Sequence, residues 1–248
     1  MAVILEWLLN GVIVQISILA FAAPFWLWYR MSRTDSERDA HHSLGEHIEL
    51  FFSSRQMDWL VFCWAAAEAV VWFIIPEFLL LLIIFMRFRQ RIALLAWDLA
   101  GTVVGTTVAF AISASAADVV RMPYITAGMV TQVNDWYLNF GVGALAFQPL
   151  SGVPYKVFTH LASANHIGLV SLVAVGTLVR MARYVFIYMI LSGLYPIFHR
   201  FAFRRYIGVF IFSCMVFSLA LLNIVDIYGP NYEIQDSRSV IAELLRGW

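Results

Sequence analysis

The sequence predicts an all-α polytopic membrane protein, an inverted repeat of two Pro-broken re-entrant hairpins plus about four transmembrane helices. Three observations predict it. Of the 248 residues, 62% are apolar and only 13% charged, against about 45–50% and about 25% in soluble domains. The apolar residues come in long continuous runs, not in the alternation of an outer-membrane barrel. Two further apolar segments carry a mid-segment proline followed closely by an ionisable residue. The 16 basic and 16 acidic side chains cancel. No basic face stands out, which excludes an electrostatic nucleic-acid binder, and the composition excludes a soluble globule and a disordered chain.

A spanning helix needs about 20 mostly apolar residues. The first run, Ala2 to Tyr29, lacks a basic leading segment and is too long for the apolar core of a secretory signal. Residues 30–58 form a polar loop. Within it Leu44, Ile48, Phe51 and Phe52 recur at helical spacing, which predicts a helix lying in the membrane interface. Trp59 to Met86 is apolar but interrupted by Glu68, Pro76 and Glu77. Ile92 to about Ser113 is a second clear span. Asn134 to His166 is only moderately apolar and is broken by Gly141, Gly143, Pro149, Gly152 and Pro154. A third apolar run covers Ile167 to Phe198, with Arg180 and Arg183 in its interior, and a fourth span runs from Tyr206 to Val225. The chain divides accordingly into residues 1–58, a core at 59–205, and a final span with a polar tail at 206–248.

Loop charge sets the orientation. If segments 30–58, 87–91 and 199–205 face the cytoplasm, they hold ten of the fifteen arginines, and the far side holds Arg121, Arg238 and Arg246. This is a firm positive-inside bias. It requires both broken segments, Trp59–Met86 and Asn134–His166, to enter and leave on one side, and it puts both termini on the non-cytoplasmic side. The two segments also resemble each other weakly. Phe73 to Leu82 reads FIIPEFLLLL and Ser151 to Leu161 reads SGVPYKVFTHL. Proline fits the first helical position, so each segment is expected to restart a half-helix at its proline, with free N–H groups aimed inward.

Glu68, Glu77, Asp98, Lys156, Arg180 and Arg183 all fall within apolar or broken segments. Insertion scales put six such charges facing lipid at roughly 15–20 kcal/mol, so they are expected to face a protein interior or a watery cavity and to pair there. Each has a plainer reading as well. Glu77 could cap the half-helix after Pro76, Glu68 could form a structural ion pair, and Asp98 could anchor the Gly101–Gly105 packing motif. Arg180 and Arg183 could mark a loop between two short helices, or snorkel to an interface. Lys156 is the one lysine of the chain.

The stretches AEAVVWFIIPEFLLLL and ALLAWDLAGTVVGTTVAFAIS resemble the first half of the DedA/VTT superfamily. FQPLSGVPYKVFTHLASANHIGLVSLVAVGTLVRMARYVFIYMIL resembles its second half, in the YqaA-like branch. The resemblance covers roughly residues 60–200 and is most specific at Pro154 to Thr159. Val179 stands where the pattern has glycine before Arg180, and Ser151-Gly152-Val153 replaces a Pro-Ile pair. The resemblance implies a lipid carrier of a bacterial inner membrane, flippase- or scramblase-like. Its cargo would be an anionic phospho-lipid such as undecaprenyl phosphate or a phospholipid, moved with coupling to protons.

On this reading Pro154, Lys156, Arg180 and Arg183 hold the lipid phosphate, and Glu68, Glu77 and Asp98 serve proton coupling or ion pairing. The partners expected are membrane lipids, with a homo-oligomer left open. No cofactor, metal or catalytic residue is expected. His41, His42, Glu46 and His47 read as solvated loop residues, and His160 and His166 form no facing pair for haem. Cys63 and Cys214, inside apolar runs, read as small buried hydrophobes. The competing readings are a non-transporting scaffold or assembly subunit and, less favoured, a membrane-embedded lipid-modifying enzyme.

Overall fold

The computed structural model describes residues 2–32, 44–76, 78, 92–204 and 206–229, and among them there are helices and turns but no strand. In chain order the helices are α1 (Ala2–Met31), α2 (Leu44–Phe52), α3 (Arg55–Val70), α4 (Ile92–Ile112), α5 (Ala116–Val120) and α6 (Ala127–Phe140). A 3-10 segment at Gly141–Phe147 leads into α7 (Gln148–Ser151), α8 (Tyr155–Leu161), α9 (Leu169–Arg204) and α10 (Tyr206–Tyr228). Four helices, α1, α4, α9 and α10, are long and apolar enough to cross a membrane. They leave large apolar side chains such as Leu19, Ile112, Phe186 and Phe212 exposed, as helices do when their surroundings are lipid. Arg180 and Arg183 sit inside one uninterrupted helix, not in a loop: α9 runs 36 residues, about 54 Å.

The tightest packing joins α3 and α4. A Cβ on Gly101 would lie 2.2 Å from the Phe62 carbonyl oxygen, and one on Gly105 would lie 2.4 Å from that of Ala66. The two glycines therefore let backbone meet backbone. Trp97, one turn earlier, meets Trp59 and Phe62 at ring-centroid distances of 5.4 and 6.3 Å. A step of four residues up α4 matches a step of about four up α3, so the two helices run in the same direction.

Helix α3 ends where its sequence stops favouring a helix. Val70, Val71, Ile74 and Ile75 are β-branched, and Pro76 disfavours helical geometry at the residue before it. The Val71 and Trp72 amides share the Ala67 carbonyl at 2.7 Å each. The opened backbone is satisfied elsewhere, since the fully buried Trp64 donates its indole N–H to the Ile74 carbonyl at 2.9 Å. At Pro76 the chain turns again, with the Phe78 amide bonded to the Ile75 carbonyl at 3.1 Å. Glu77 and residues 79–91 lie outside the described residues, so the half-helix expected there does too.

The second broken segment is folded back on itself. Helix α6 has 14 residues, about 21 Å, against the ~30 Å of a bilayer core. It runs antiparallel to α8. The Tyr137 hydroxyl donates to the Phe158 carbonyl at 2.9 Å, and the Asn165 amide donates to Asn134 at 2.8 Å. Between them the backbone turns at Gly141 (φ +55°) and Gly152 (φ +75°), conformations that cost a residue with a Cβ but not glycine. Pro154 is the residue before α8, with φ −59° and ψ 141°. It is not the first helical residue as expected, because an extended ψ carries the chain out of the Gly152 turn.

The flanking helices close the structure at both ends. Asn10 of α1 donates to Ser218 of α10 at 2.9 Å and accepts from the Tyr124 hydroxyl. Thr126 donates to the Tyr228 carbonyl at 3.2 Å. The start of α1, the 113–126 turn and the end of α10 thus meet at one end. At the other end Phe51 of α2 is buried against Trp26 and Tyr29, and Gln56 donates to Ser32 at 3.0 Å.

Gly105→Leu is expected to force α3 and α4 apart at an overpacking cost of about 1–3 kcal/mol. Thermal unfolding of the detergent-purified protein measures this. Gly168→Ala, with nothing within 4 Å of its Cβ, should melt as wild type.

Candidate functional site: a buried ion pair and a helix-end clamp

One face of α9 carries Leu172, Gly176, Arg180 and Tyr184 at intervals of four, and this is the face turned inward. Arg180 is 1% exposed. Its guanidinium is ion-paired with Glu68 of α3, donates to the Thr102 hydroxyl of α4 at 2.9 Å, and lies 4.3 Å over the Tyr155 ring of α8. The Tyr155 hydroxyl in turn shares a 3.1 Å hydrogen bond with Thr106 of α4. Gly176 makes the room: a Cβ there would lie 2.2 Å from the Tyr155 hydroxyl. Four helices therefore meet on one guanidinium. The inward stripe of α4 reads Asp98, Thr102, Thr106, all within 1% of full burial, and Asp98 lies one turn before the threonine that binds Arg180.

A second cluster lies beside the first. The last carbonyls of a helix have no partner within it. At the end of α3 three successive carbonyls are each taken by one side chain from α8. Thr159 donates to the Ala69 carbonyl at 2.8 Å, His160 to that of Val70 at 2.8 Å, and Lys156 to that of Val71 at 3.0 Å. The spacing 156, 159, 160 puts all three donors on one face of α8. The Ala114 amide donates to His160 Nδ1 at 3.4 Å, which leaves the His160 proton on Nε2, the atom facing Val70. Lys156 also donates to the Pro123 carbonyl at 3.0 Å. Its cation thus sits at the negative end of the α3 dipole, joining α3, α8 and the 113–126 turn.

Of the residues expected to act together, Glu68 and Arg180 are in contact, and Asp98 is buried a turn from their partner Thr102. Arg183 is half-buried and reaches Gln148 at 3.5 Å, on the far side of the Gly152 turn from Pro154. Lys156 belongs to the carbonyl cluster; its neighbour Tyr155 is the residue that touches Arg180. Glu77 lies outside the described residues. Thr102, Thr106, Tyr155 and Thr159 escaped the sequence reading, and His160 was weighed there only as a haem ligand. Their signal was in the spacing: Gly-Thr recurs at 101–102 and 105–106, and donors recur at 156, 159 and 160. Among the described residues no cluster of His, Cys, Asp and Glu could hold a metal ion. His160 is buried while His166 is exposed in a turn. Cys63 is half-buried, and Cys214 is buried in the core around Trp64.

Neither the family models, the curated proteins nor the solved structures give a match to this chain.

Glu68→Ala and Arg180→Ala are each expected to cost about 3–5 kcal/mol, because each leaves an uncompensated buried charge. The double variant should recover part of that loss, read as a positive coupling in a double-mutant cycle of thermal stability. Lys156→Met is expected to remove the donor from two partly exposed carbonyls, Val71 and Pro123, at about 0.5–1.5 kcal/mol each. Hydrogen exchange should then quicken in the last turn of α3 and the 71–75 segment before it quickens elsewhere.

Proposed function

We propose that this membrane protein carries the headgroup of an anionic phospho-lipid between leaflets, with undecaprenyl phosphate or a phospholipid as cargo. The observation that carries the reading is a buried ion pair, Glu68–Arg180, set among membrane-crossing helices with a second, half-buried arginine one turn away on α9. Charge at membrane depth is expensive and is kept where it acts. Phosphate favours the forked donors of arginine. The parallel course of α3 and α4 and the antiparallel course of α6 and α8 support reading both broken segments as re-entrant hairpins of an inverted repeat. On this proposal the arginine count puts both termini on the non-cytoplasmic side, and the resemblance to DedA/VTT proteins implies a bacterial inner membrane.

In this mechanism Arg183 meets the phosphate first, from its half-buried position beside Gln148. Arg180 is held by Glu68 while the site is empty. A proton on Glu68 weakens its hold and lets Arg180 turn to the phosphate, which couples translocation to protons; Asp98 and Glu77 extend the set of acidic groups. Pro154 and Lys156 serve from behind. Lys156 ties the end of α3 to α8, so the two broken segments share a fixed joint about which one rocks against the other.

The test is translocation of fluorescent anionic lipids by the purified protein in liposomes across a pH gradient. Arg183→Ala is expected to slow it roughly ten- to hundred-fold, the loss of one charge-assisted hydrogen bond to the phosphate. Wild-type rates for every anionic lipid would sink the headgroup assignment, and no translocation by the wild-type protein would favour the scaffold reading. For Glu68→Gln the pH dependence should flatten; an unchanged profile removes the proton step.

A further inference from the structure

The Arg180 guanidinium has two kinds of contact. Glu68 and Thr102 meet its N–H edges, and the Tyr155 ring meets its flat face at 4.3 Å. Edge contacts are directional and weaken steeply when the guanidinium turns. The face contact rests on the ring quadrupole, so a guanidinium can turn in its own plane over the ring and keep it. Among Glu68, Thr102 and Tyr155, only the Glu68 carboxylate gains a proton in an ordinary pH range.

The ring cannot follow the guanidinium. Tyr155 opens α8 and is 1% exposed. Its hydroxyl is fixed to Thr106 at 3.1 Å, one turn along α4 from the Thr102 that binds Arg180. On α9 the hydroxyl is covered by Gly176, where a Cβ would lie 2.2 Å from it. Gly176 is itself one turn before Arg180. The ring is therefore held by the same two helices, α4 and α9, that carry Thr102 and Arg180. A leucine would fill much of this space, but it offers a cation no negative face.

We propose that Tyr155 is the positioning residue of the site: its ring keeps the Arg180 cation in place while the guanidinium edge passes from Glu68 to the phosphate. The inference deepens the carrier reading and rests on it for that exchange of partners. The ring acts most strongly on a guanidinium that no carboxylate neutralises, because its negative face repels a paired carboxylate. It therefore favours the state in which Glu68 carries a proton. With a weaker negative face, Arg180 depends more on the carboxylate, and Glu68 takes its proton only at lower pH. The other buried titratable groups on the packed faces are Asp98 on α4, Lys156 and His160 on α8, and Tyr184 on α9. Helix α1 carries none between Glu6 and Tyr29. A change at position 155 leaves all of these side chains in place.

The test replaces Tyr155 with phenylalanines of increasing ring fluorination in the full chain in nanodiscs. Fluorination weakens the negative face and nearly preserves the shape, so a ring that only fills space would not register it. The readout is the protonated-carboxyl band of Glu68 in infrared difference spectra through a pH titration, assigned by its loss in Glu68→Gln. Tyr155→Phe is expected to titrate as wild type. The midpoint should then fall with each added fluorine, by about half a pH unit to one unit over the series. The pH dependence of anionic-lipid translocation in liposomes should move in step. Tyr155→Leu should give the largest shift, and the fluorinated series covers the case in which the leucine variant fails to fold. A midpoint unmoved by fluorination overturns the proposal and leaves Tyr155 as packing, whether or not lipid is carried. So does the absence of any Glu68 titration. A midpoint that falls in a protein that carries no lipid would sink the carrier reading and leave the ring's hold on Arg180 standing.

Discussion

The pairing of Glu68 with Arg180 is the constraint that the rest of the fold has to meet. Neither charge can be left alone at that depth, and bringing them together fixes the relation of α3 to α9. The remaining donors of the guanidinium and its flat face then select what may stand around it. Thr102 brings α4 and the Tyr155 ring brings α8. Each of those contacts needs space. Glycine supplies it three times, at Gly101 and Gly105 for the approach of α3 and at Gly176 for the Tyr155 hydroxyl. The pair is weak evidence for stability in itself, since apolar packing of equal volume would often do as well. Its place at the meeting point of four helices fits the proposed carrier, whose cargo needs a cation.

The clamp at the end of α3 solves a different problem. A helix that stops inside an apolar environment leaves carbonyls that water cannot satisfy. Here the same α8 face that follows the Gly152 turn satisfies three in succession. The break in one segment is therefore supported by the restart in the other. A consequence is that α3 and α8 cannot move apart without exposing those carbonyls. Helix α6 is tied to α8 as well, through the Tyr137–Phe158 hydrogen bond, and α7 meets α9 where Gln148 accepts from Arg183.

The sequence made the spans legible because apolar runs of 20 residues have few other uses. The breaks at Gly141, Gly152 and Val71–Pro76 were legible from glycine, proline and β-branched residues. What composition could not give is direction of aim. Tyr155 and Lys156 are adjacent, yet about 100° of helix rotation sends one to Arg180 and the other to the Val71 carbonyl. Arg180 and Arg183 share a helix face by spacing, yet one is buried on Glu68 and the other sits at the rim beside Gln148. Grouping the cations because all three fall within apolar or broken segments merged two clusters that packing keeps apart. Asp98 was legible as an anchor beside Gly101 and Gly105, but its alignment with Thr102 and Thr106 emerges only once the stripe of α4 is seen to be fully buried.

The three interior cations differ in what holds them, and this difference orders their roles. Lys156 is held by neutral carbonyls that are part of the backbone, so it cannot let go without disturbing a helix end. Arg180 is held by a carboxylate, a partner that a proton can neutralise. Arg183 is half-buried and reaches the Gln148 side-chain oxygen at 3.5 Å. In the proposed carrier an arriving phosphate replaces a carboxylate with another oxyanion of similar reach, so the cation count and the hydrogen-bond count both balance across the exchange. Two arrangements that balance in this way lie close in free energy, which is what a small input such as one proton requires in order to shift the population between them. A structure that fixed all three cations as firmly as Lys156 would be more stable and would have no second state to visit.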